Sequence, residues 1–526
     1  MFKILIFIFL SVNLLSVTLE QAQTASKTGN YKQAIKLWTS LAKGGNQDAQ
    51  YRLGLIYFNG TGTQKDYKSA YKWFTESSAQ GFAKAQYRLG ILYYDGKGTN
   101  KDDKKAFTWY EKASKQGYKY AQYRLATMYH LMQKYKDALK WYEKAATQGH
   151  NKSQYFLGYY FDRGFATRKN EQKAFFWYKK AAIQGHFKAQ YKLALMYQEA
   201  KGSIKNEKQT YLWFQKSSKQ GYKYAQHQLA KIYHLKQDYP NAFKLYSKAA
   251  KQNHLEAQFE LALLYFNGNG IKQDYNKAFS WFTKAAKRGY SRAQYDLGVM
   301  YEYGLYVKKD YKKAFFWYEK SAKKGYPNAQ FDLAVLFYKG QGISQNNNKA
   351  LKWFNKASEQ GYLKAQFEVA LLYFNGIIVE KNYPKALKLF NKLANKDYVP
   401  AQYNLGVIYE KGQAVPQDFK KALTWYLKAA DKNYAPAQYN IGIIYQKGMG
   451  VAKNNETAVK WIDLSAKNNF PVAQFALGNM YYSGIGIIED KQKAAVWIKK
   501  SYENGYLIAK EIWDKYELWQ FHKKKK

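Results

Sequence analysis

Seven histidines and no cysteine set the limit on the chemistry that this 526-residue chain could perform. Without thiols there is no disulfide framework, no thiolate zinc site and no cysteine nucleophile. His130 and His234 occupy equivalent places in a repeating pattern, while His150, His186 and His254 fall at turns. None has a second histidine at i+4 and none stands beside a recurrent carboxylate, so neither zinc-assisted hydrolysis nor a triad is indicated. Glycine pairs such as Gly60 and Gly62, Gly96 and Gly98, or Gly340 and Gly342 could be mistaken for a phosphate cradle. That cradle needs a preceding strand and a longer glycine fingerprint, and both are missing. The glycines instead supply positive φ for a turn between helices. No catalytic residue, metal ligand or cofactor is expected, and the chain reads as a protein without enzymatic activity.

Composition points the same way. Lys and Arg number 85 against 38 Asp and Glu, a net charge of +47, yet 47% of the residues are hydrophobic and 19% aromatic. A disordered polycation could not carry that apolar content. Only Arg52, Arg88, Arg124, Arg163, Arg168, Arg288 and Arg292 are arginine. Forked recognition of phosphate favours arginine, whereas lysine makes a hydrated, solubilising surface.

The elements that would position any site repeat along the chain. Alanine or serine anchors stand at residues 49, 85, 121, 153, 189, 225, 257, 293, 329, 365, 401, 437, 473 and 509, and each but the last is followed by glutamine. The spacing is 36 residues except for 32 at the repeats beginning with Ala121 and Ala225, so long, long, short occurs twice and implies a duplicated block. No room is left for a separate catalytic domain.

Each repeat predicts two helices, A and B. In the first, Ala49, Leu53, Gly54 and Tyr57 share one helix A face, and the third place is Gly or Ala throughout, as close packing requires. Helix B carries Ala70, Trp73, Phe74 and Ser77. In every long repeat an Asn or Asp stands four residues before the first small residue of the helix B stripe, an alanine in all but one, where Thr210 follows Asn206; the series runs from Asp66 and Asp102 to Asn454 and Asp490, the place of an N-cap. Gly81, Gly117 and Gly149, just beyond helix B, suit a left-handed stop.

The string Ala-Gln-Tyr-Arg-Leu-Gly-Leu-Ile-Tyr, then Gly-x-Gly, then Asp-Tyr-Lys-x-Ala-x-x-Trp-Phe, resembles the Sel1-like repeat, a longer relative of the tetratricopeptide repeat. Thirteen copies cover residues 47–508. The resemblance implies an all-α fold, a right-handed α-solenoid superhelix of about 13 helix-turn-helix repeats that binds other proteins. It also implies adaptor roles in signalling, protein quality control or, in bacteria, the envelope and host interaction. Some cysteine-rich exported relatives resemble penicillin-binding hydrolases, and their paired cysteines are missing here.

Two positions of helix A face away from the packed stripe, one residue before the anchor and three after it. They carry Lys84 with Arg88, Tyr120 with Arg124, and Lys188 with Lys192, then Glu256 with Glu260, Arg292 with Asp296, and Lys364 with Glu368. Helix A lines the inner wall in related superhelices, so Arg52, Lys84, Arg88, Arg124, Lys188, Lys192, Glu256, Glu260, Asp296, Asp332 and Glu368 are the expected groove residues. The groove should change from basic to mixed to neutral along the chain. The aromatic two residues after nearly every anchor, such as Tyr51, Tyr87 and Phe475, could be a stacking ladder or ordinary packing, and the resemblance favours packing. Lysines of helix B, such as Lys104, Lys105 and Lys112, form a solvated outer face.

At the N-terminus Lys3 precedes an apolar run from Ile4 to Val17, the size of a signal-peptide core and shorter than the ~20 residues of a spanning helix. Ser16 with Thr18, or Ala22 with Thr24, could occupy the cleavage positions. The expected order is a signal peptide over 1–22, a partial repeat over 23–46, thirteen repeats over 47–508 and a capping helix with a lysine tail over 509–526. The product would be periplasmic or secreted, with no stable membrane span. Three functions compete: a scaffold for a protein or peptide partner, an electrostatic binder of an anionic envelope polymer or glycan, and a cell-wall hydrolase or a regulator of one. Nucleic acid is the polyanion least suited to an exported protein.

Overall fold

A computed structural model of the chain describes residues 19–521. The apolar run, its Ser16 and Thr18, and the terminal lysines Lys523 to Lys526 lie outside the described residues. Among the described residues every regular element is helical. The helices fall into two compact units, one ending at Gln273 and the other beginning at Asp274.

In the N-terminal half, residues 19–27 are helical and are followed by Tyr31–Lys43, Gln47–Asn59, Tyr67–Ala79, Ala83–Asp95, Asp103–Lys115, Lys119–Leu131, Tyr135–Thr147, Asn151–Arg163, Glu171–Ile183, Phe187–Glu199, Glu207–Lys219, Lys223–Leu235, Tyr239–Lys251 and Leu255–Asn267. Helices A and B alternate, and from Gln47–Asn59 to Tyr239–Lys251 each packs on the helices before and after it in sequence. The C-terminal half continues in the same way from Tyr275–Lys287 to Lys491–Glu503 and closes with Leu507–Lys515 and a 3-10 turn, Leu518–Phe521. Consecutive helix-turn-helix repeats make this an all-α, solenoid-type fold.

The small residue of helix A explains how the pairs close. A Cβ added to Gly90 would stand 2.7 Å from the Tyr110 ring, and one at Gly158 would stand 2.8 Å from Tyr178. Those rings, with Phe74, Tyr142 and Phe214, are at most 1% exposed, and burying each contributes about 1.5–3 kcal/mol. Ala22 meets Trp38 in the same kind of core, with Leu41 and Leu53, and Trp38 Nε1 donates to Ser26 Oγ at 2.8 Å. The helix over 19–27 therefore serves as the A helix of the first pair. At the other end Trp513 and Leu518 are buried together beside Ile498.

All eleven expected helix B caps form. In the N-terminal half, for example, Asp102 accepts from the amide of Lys105 at 2.9 Å and Asn170 from that of Lys173 at 2.8 Å. In the C-terminal half Asp310 and Asn454 accept in the same way at 3.0 and 2.9 Å. In the connecting turn the second glycine is needed for room as well as φ. Gly98 has φ +71°, and a Cβ there would lie 2.0 Å from the Tyr67 carbonyl oxygen of the preceding repeat.

Candidate interaction surface

With one helix A stripe consumed by packing, the positions before and after each anchor keep access to solvent. In the N-terminal half Lys84, Lys188 and Glu256 are exposed, and Arg52, Arg88, Arg124, Lys192 and Glu260 are half-buried. In the C-terminal half Asp296, Asp332 and Glu368 are half-buried as well. None of the expected groove residues is sealed between repeats.

Their immediate partners differ. Arg52 Nε pairs with Asp48 at 2.6 Å and its guanidinium lies 5.2 Å from the Trp38 ring centre. The Lys84 ammonium lies 5.9 Å from the Phe82 ring centre, and the Arg88 guanidinium 5.7 Å from Phe58 and 6.0 Å from Tyr87. Lys192 reaches back to Asp162 at 3.4 Å on the preceding A helix. Glu256 meets Nδ1 of His254 at 3.3 Å. Lys188 stands beside His186 and helps to hold that ring neutral. Arg52, Lys84, Arg88 and Lys192 are thus each seated on an aromatic or acidic neighbour.

The carboxylates of the C-terminal half sit in a less hydrated setting. Burial pushes Asp296 up to about 7 against the opposing pull of Arg292. Burial, with Glu302 nearby, pushes Asp332 up to about 6, while the Tyr295 hydroxyl opposes the shift. Glu368 is raised by burial. Tyr318 donates to Glu302 at 2.6 Å, so this strip mixes acids with hydroxyls.

The aromatic two residues after the anchor is a packing element. Tyr87 meets Tyr118 at 5.4 Å edge to face and Tyr191 meets Tyr222 at 5.3 Å. In the other half Tyr295 meets Tyr326 and Phe331 meets Tyr362 at 5.3 and 5.5 Å. Each partner is the residue that introduces the next A helix. Such contacts add about 0.5–1.5 kcal/mol beyond area burial.

Sequence reasoning did not anticipate what the turn histidines do. Nδ1 of His150 and of His186 accepts from the amides of Ser153 and Ala189, both at 3.2 Å, and His254 does so for Ala257 at 3.3 Å. They are N-caps, a role Asn46 fills for Ala49 at 2.9 Å. His130 instead meets the Tyr160 hydroxyl at 2.7 Å. Among the described residues no group of three or more His, Cys, Asp or Glu could hold a metal ion, and no helix is long and apolar enough to cross a membrane.

The sequence model of the Sel1 repeat matches fourteen consecutive stretches, from residues 23–46 and 47–82 through 435–470 and 471–506. A protective antigen of uropathogenic Escherichia coli strains, displaying an SLR fold, is 30% identical over 91% of this chain and 97% of that one, with a TM-score of 0.50. A Sel1 repeat protein from Oxalobacter formigenes is 30% identical over 46% of this chain and 96% of that one, with a TM-score of 0.42. No curated protein sequence matches. Proteins of this kind are generally protein-interaction scaffolds, and their fold is typically non-catalytic. With its matched stretches running from residue 23 to residue 506, the chain belongs to the Sel1 repeat family.

Proposed function

We propose that the chain is an exported, non-catalytic scaffold that holds a protein or peptide on the A-helix face of its repeats. The observation that carries this reading is the contrast between a packing pattern that hardly varies and two solvent-facing positions per repeat whose charge does. Lys84 with Arg88 and Lys188 with Lys192 occur in one half, and Arg292 with Asp296 and Lys364 with Glu368 in the other. A repeat array of this kind offers an extended surface on which a partner can touch several repeats at once. Export rests on the apolar run Ile4 to Val17 behind Lys3, with the periplasm or the exterior as destination. Similarity to a protective antigen of uropathogenic Escherichia coli fits an envelope or host-facing role.

The test places a photo-crosslinking residue at position 88 or 332 on the A helices, and at 320 or 428 on the B helices. Crosslinks to a defined protein from the A positions and not from the B positions are expected. Equal labelling from both sets, or none from either, would defeat the reading.

A second reading is kept by the net charge of +47: an electrostatic hold on anionic envelope polymer or glycan. Long-range attraction is screened within ~8 Å at physiological salt, and counterion release makes such binding steeply salt-dependent. Loss of the crosslinked partner at moderate salt, together with indifference to which polyanion competes, would favour it.

A further inference from the structure

Two adjacent repeats of the N-terminal half form a half-open pocket of about 400 Å³ between their A helices, Lys119–Leu131 and Asn151–Arg163. Three cations line it, Lys119, Arg124 and Lys152, and no carboxylate does. The remaining walls are largely rings. Tyr120 stands 5.3 Å from His150 edge to face, and Tyr123 lies 4.8 Å from the same imidazole. Arg124 rests against the Tyr87 hydroxyl, and Lys119 Nζ donates to the Gln148 carbonyl at 3.4 Å. Burial, with Lys152 and Lys119 adding to it, lowers His150 to about 4, so the ring is neutral at pH 7 while the pocket around it is positive.

The duplicated block supplies an internal comparison 104 residues later, still within the N-terminal half. The frame is kept. Lys223 Nζ donates to the Gln252 carbonyl at 3.3 Å, Tyr224 stands 5.0 Å from His254, and His227 lies 4.6 Å from it. Gln228 rests against the Tyr191 hydroxyl as Arg124 does against Tyr87. The charge is not kept. Gln228 replaces Arg124 and Glu256 replaces Lys152, leaving one cation and one anion where the first copy has three cations. The fold therefore does not require the positive charge of the first copy.

We propose that the Lys119, Arg124 and Lys152 pocket binds a carboxylate of an acidic peptide segment, with a neighbouring apolar side chain against Tyr120 and Tyr123. This deepens the scaffold reading and rests on it. Three convergent donors without a competing acid suit a single anionic group held by charge-assisted hydrogen bonds. Ring walls suit a segment that alternates acid with apolar side chains better than an evenly charged polymer, which would want cations in their place.

The experiment is fluorescence anisotropy of a labelled nonapeptide repeating Glu-Tyr-Gly, with its Gln-Tyr-Gly counterpart as a neutral control, on the full chain at 0.15 M salt, a level of about the physiological ionic strength. R124Q+K152E installs residues that the second copy already accommodates, and helix content and melting verify that it folds. It is expected to weaken the glutamate peptide by about tenfold or more, because two of the three charge-assisted partners of the carboxylate are lost and one is replaced by a repelling acid. K420Q+K460E removes as much charge from exposed lysines on B helices of the other half and should change affinity by less than about threefold. Q228R+E256K should create a second site, read as a doubled stoichiometry. Equal weakening by the two charge-removing variants, no binding of the glutamate peptide, or pocket-dependent binding of a heparin oligosaccharide tighter than that of the peptide would each overturn the proposal. Crosslinking from positions 88 and 332 reads the scaffold reading separately, so either can fail alone.

Discussion

The side-chain amide of Gln80 donates to Oε1 of Gln50 at 2.8 Å, across one whole repeat. Gln50 in turn donates to the Ala42 carbonyl at 3.1 Å, so its buried amide is satisfied at both ends. The pairing recurs as Gln86 with Gln116, Gln154 with Gln184 and Gln190 with Gln220, all at 2.8 Å. In the C-terminal half it recurs as Gln330 with Gln360 at 2.7 Å and Gln438 with Asn468 at 2.9 Å. The glutamine that follows each anchor is thus a bolt between successive helix pairs.

Four bolts, at Gln258, Gln294, Gln366 and Gln402, are missing a half, and lysine explains the last three. Oε1 of Gln294, Gln366 and Gln402 is buried without a partner, and the positions that should supply the amide hold Lys324, Lys396 and Lys432. A buried acceptor left unpaired costs about 1–3 kcal/mol. Lys396→Gln and Lys432→Gln should each stabilise their neighbourhood by about 1 kcal/mol. Slower hydrogen exchange in helices Leu363–Asn375 and Val399–Lys411 would register it, and unchanged exchange would refute it. Exchange is the right readout because a repeat array need not melt in two states.

Glycine positions separate room from conformation. Gly81 has φ +87° with nothing within 4 Å of an added Cβ, whereas Gly98 has φ +71° and a carbonyl oxygen 2.0 Å away. Gly81→Ala should cost about 1 kcal/mol, from the left-handed backbone alone. Gly98→Ala should cost about 2–4 kcal/mol, because the preceding repeat must also move. Similar urea midpoints for the two variants would contradict this assignment.

Much of this frame was legible in the residues. Asp66 and its ten counterparts stand at a fixed distance before an apolar stripe, and capping is a local interaction that spacing reveals. Small residues at Gly54 and Gly90 announced a close approach for the same reason. The glutamine bolts were not legible: Gln50 and Gln80 are thirty residues apart, and a partner across a repeat leaves no local pattern. The histidine caps were missed because imidazole is not among the usual N-cap side chains. The pocket at Arg124 was half visible, since the charge on helix A could be placed on a face while Lys119 and Lys152 could not be brought to it.

Acid should loosen the histidine caps. His150 and His186 accept through Nδ1, which needs the neutral ring, and burial, aided by nearby lysines, lowers each to about 4. Unfolded, they titrate near 6.5. Their contribution is complete above about pH 6.5 and is lost as the pH falls toward 4. The N-terminal half should therefore melt at lower temperature at pH 4.5 than at pH 7. His150→Asn with His186→Asn, copying Asn46, should flatten that slope, and a slope that survives would place its origin elsewhere.

Carboxylates of the C-terminal half should act in the opposite sense. Asp296 and Asp332 are raised by burial to about 7 and about 6, above the ~3.9 of an unfolded aspartate, so folding favours the protonated acid. Their contribution is complete below about pH 4 and is lost as the pH rises through 6 to 7. Asp296→Asn, which cannot ionise, should stabilise this half by about 1–2 kcal/mol at pH 8 after allowance for its partial hydration, and by close to nothing at pH 4. Carboxyl NMR titration of the intact chain gives the direct check, and an Asp296 midpoint below 5 would remove the basis for the prediction. A basic partner seated against the same strip would stabilise the ionised carboxylates. Its affinity should then rise from pH 5 to pH 8.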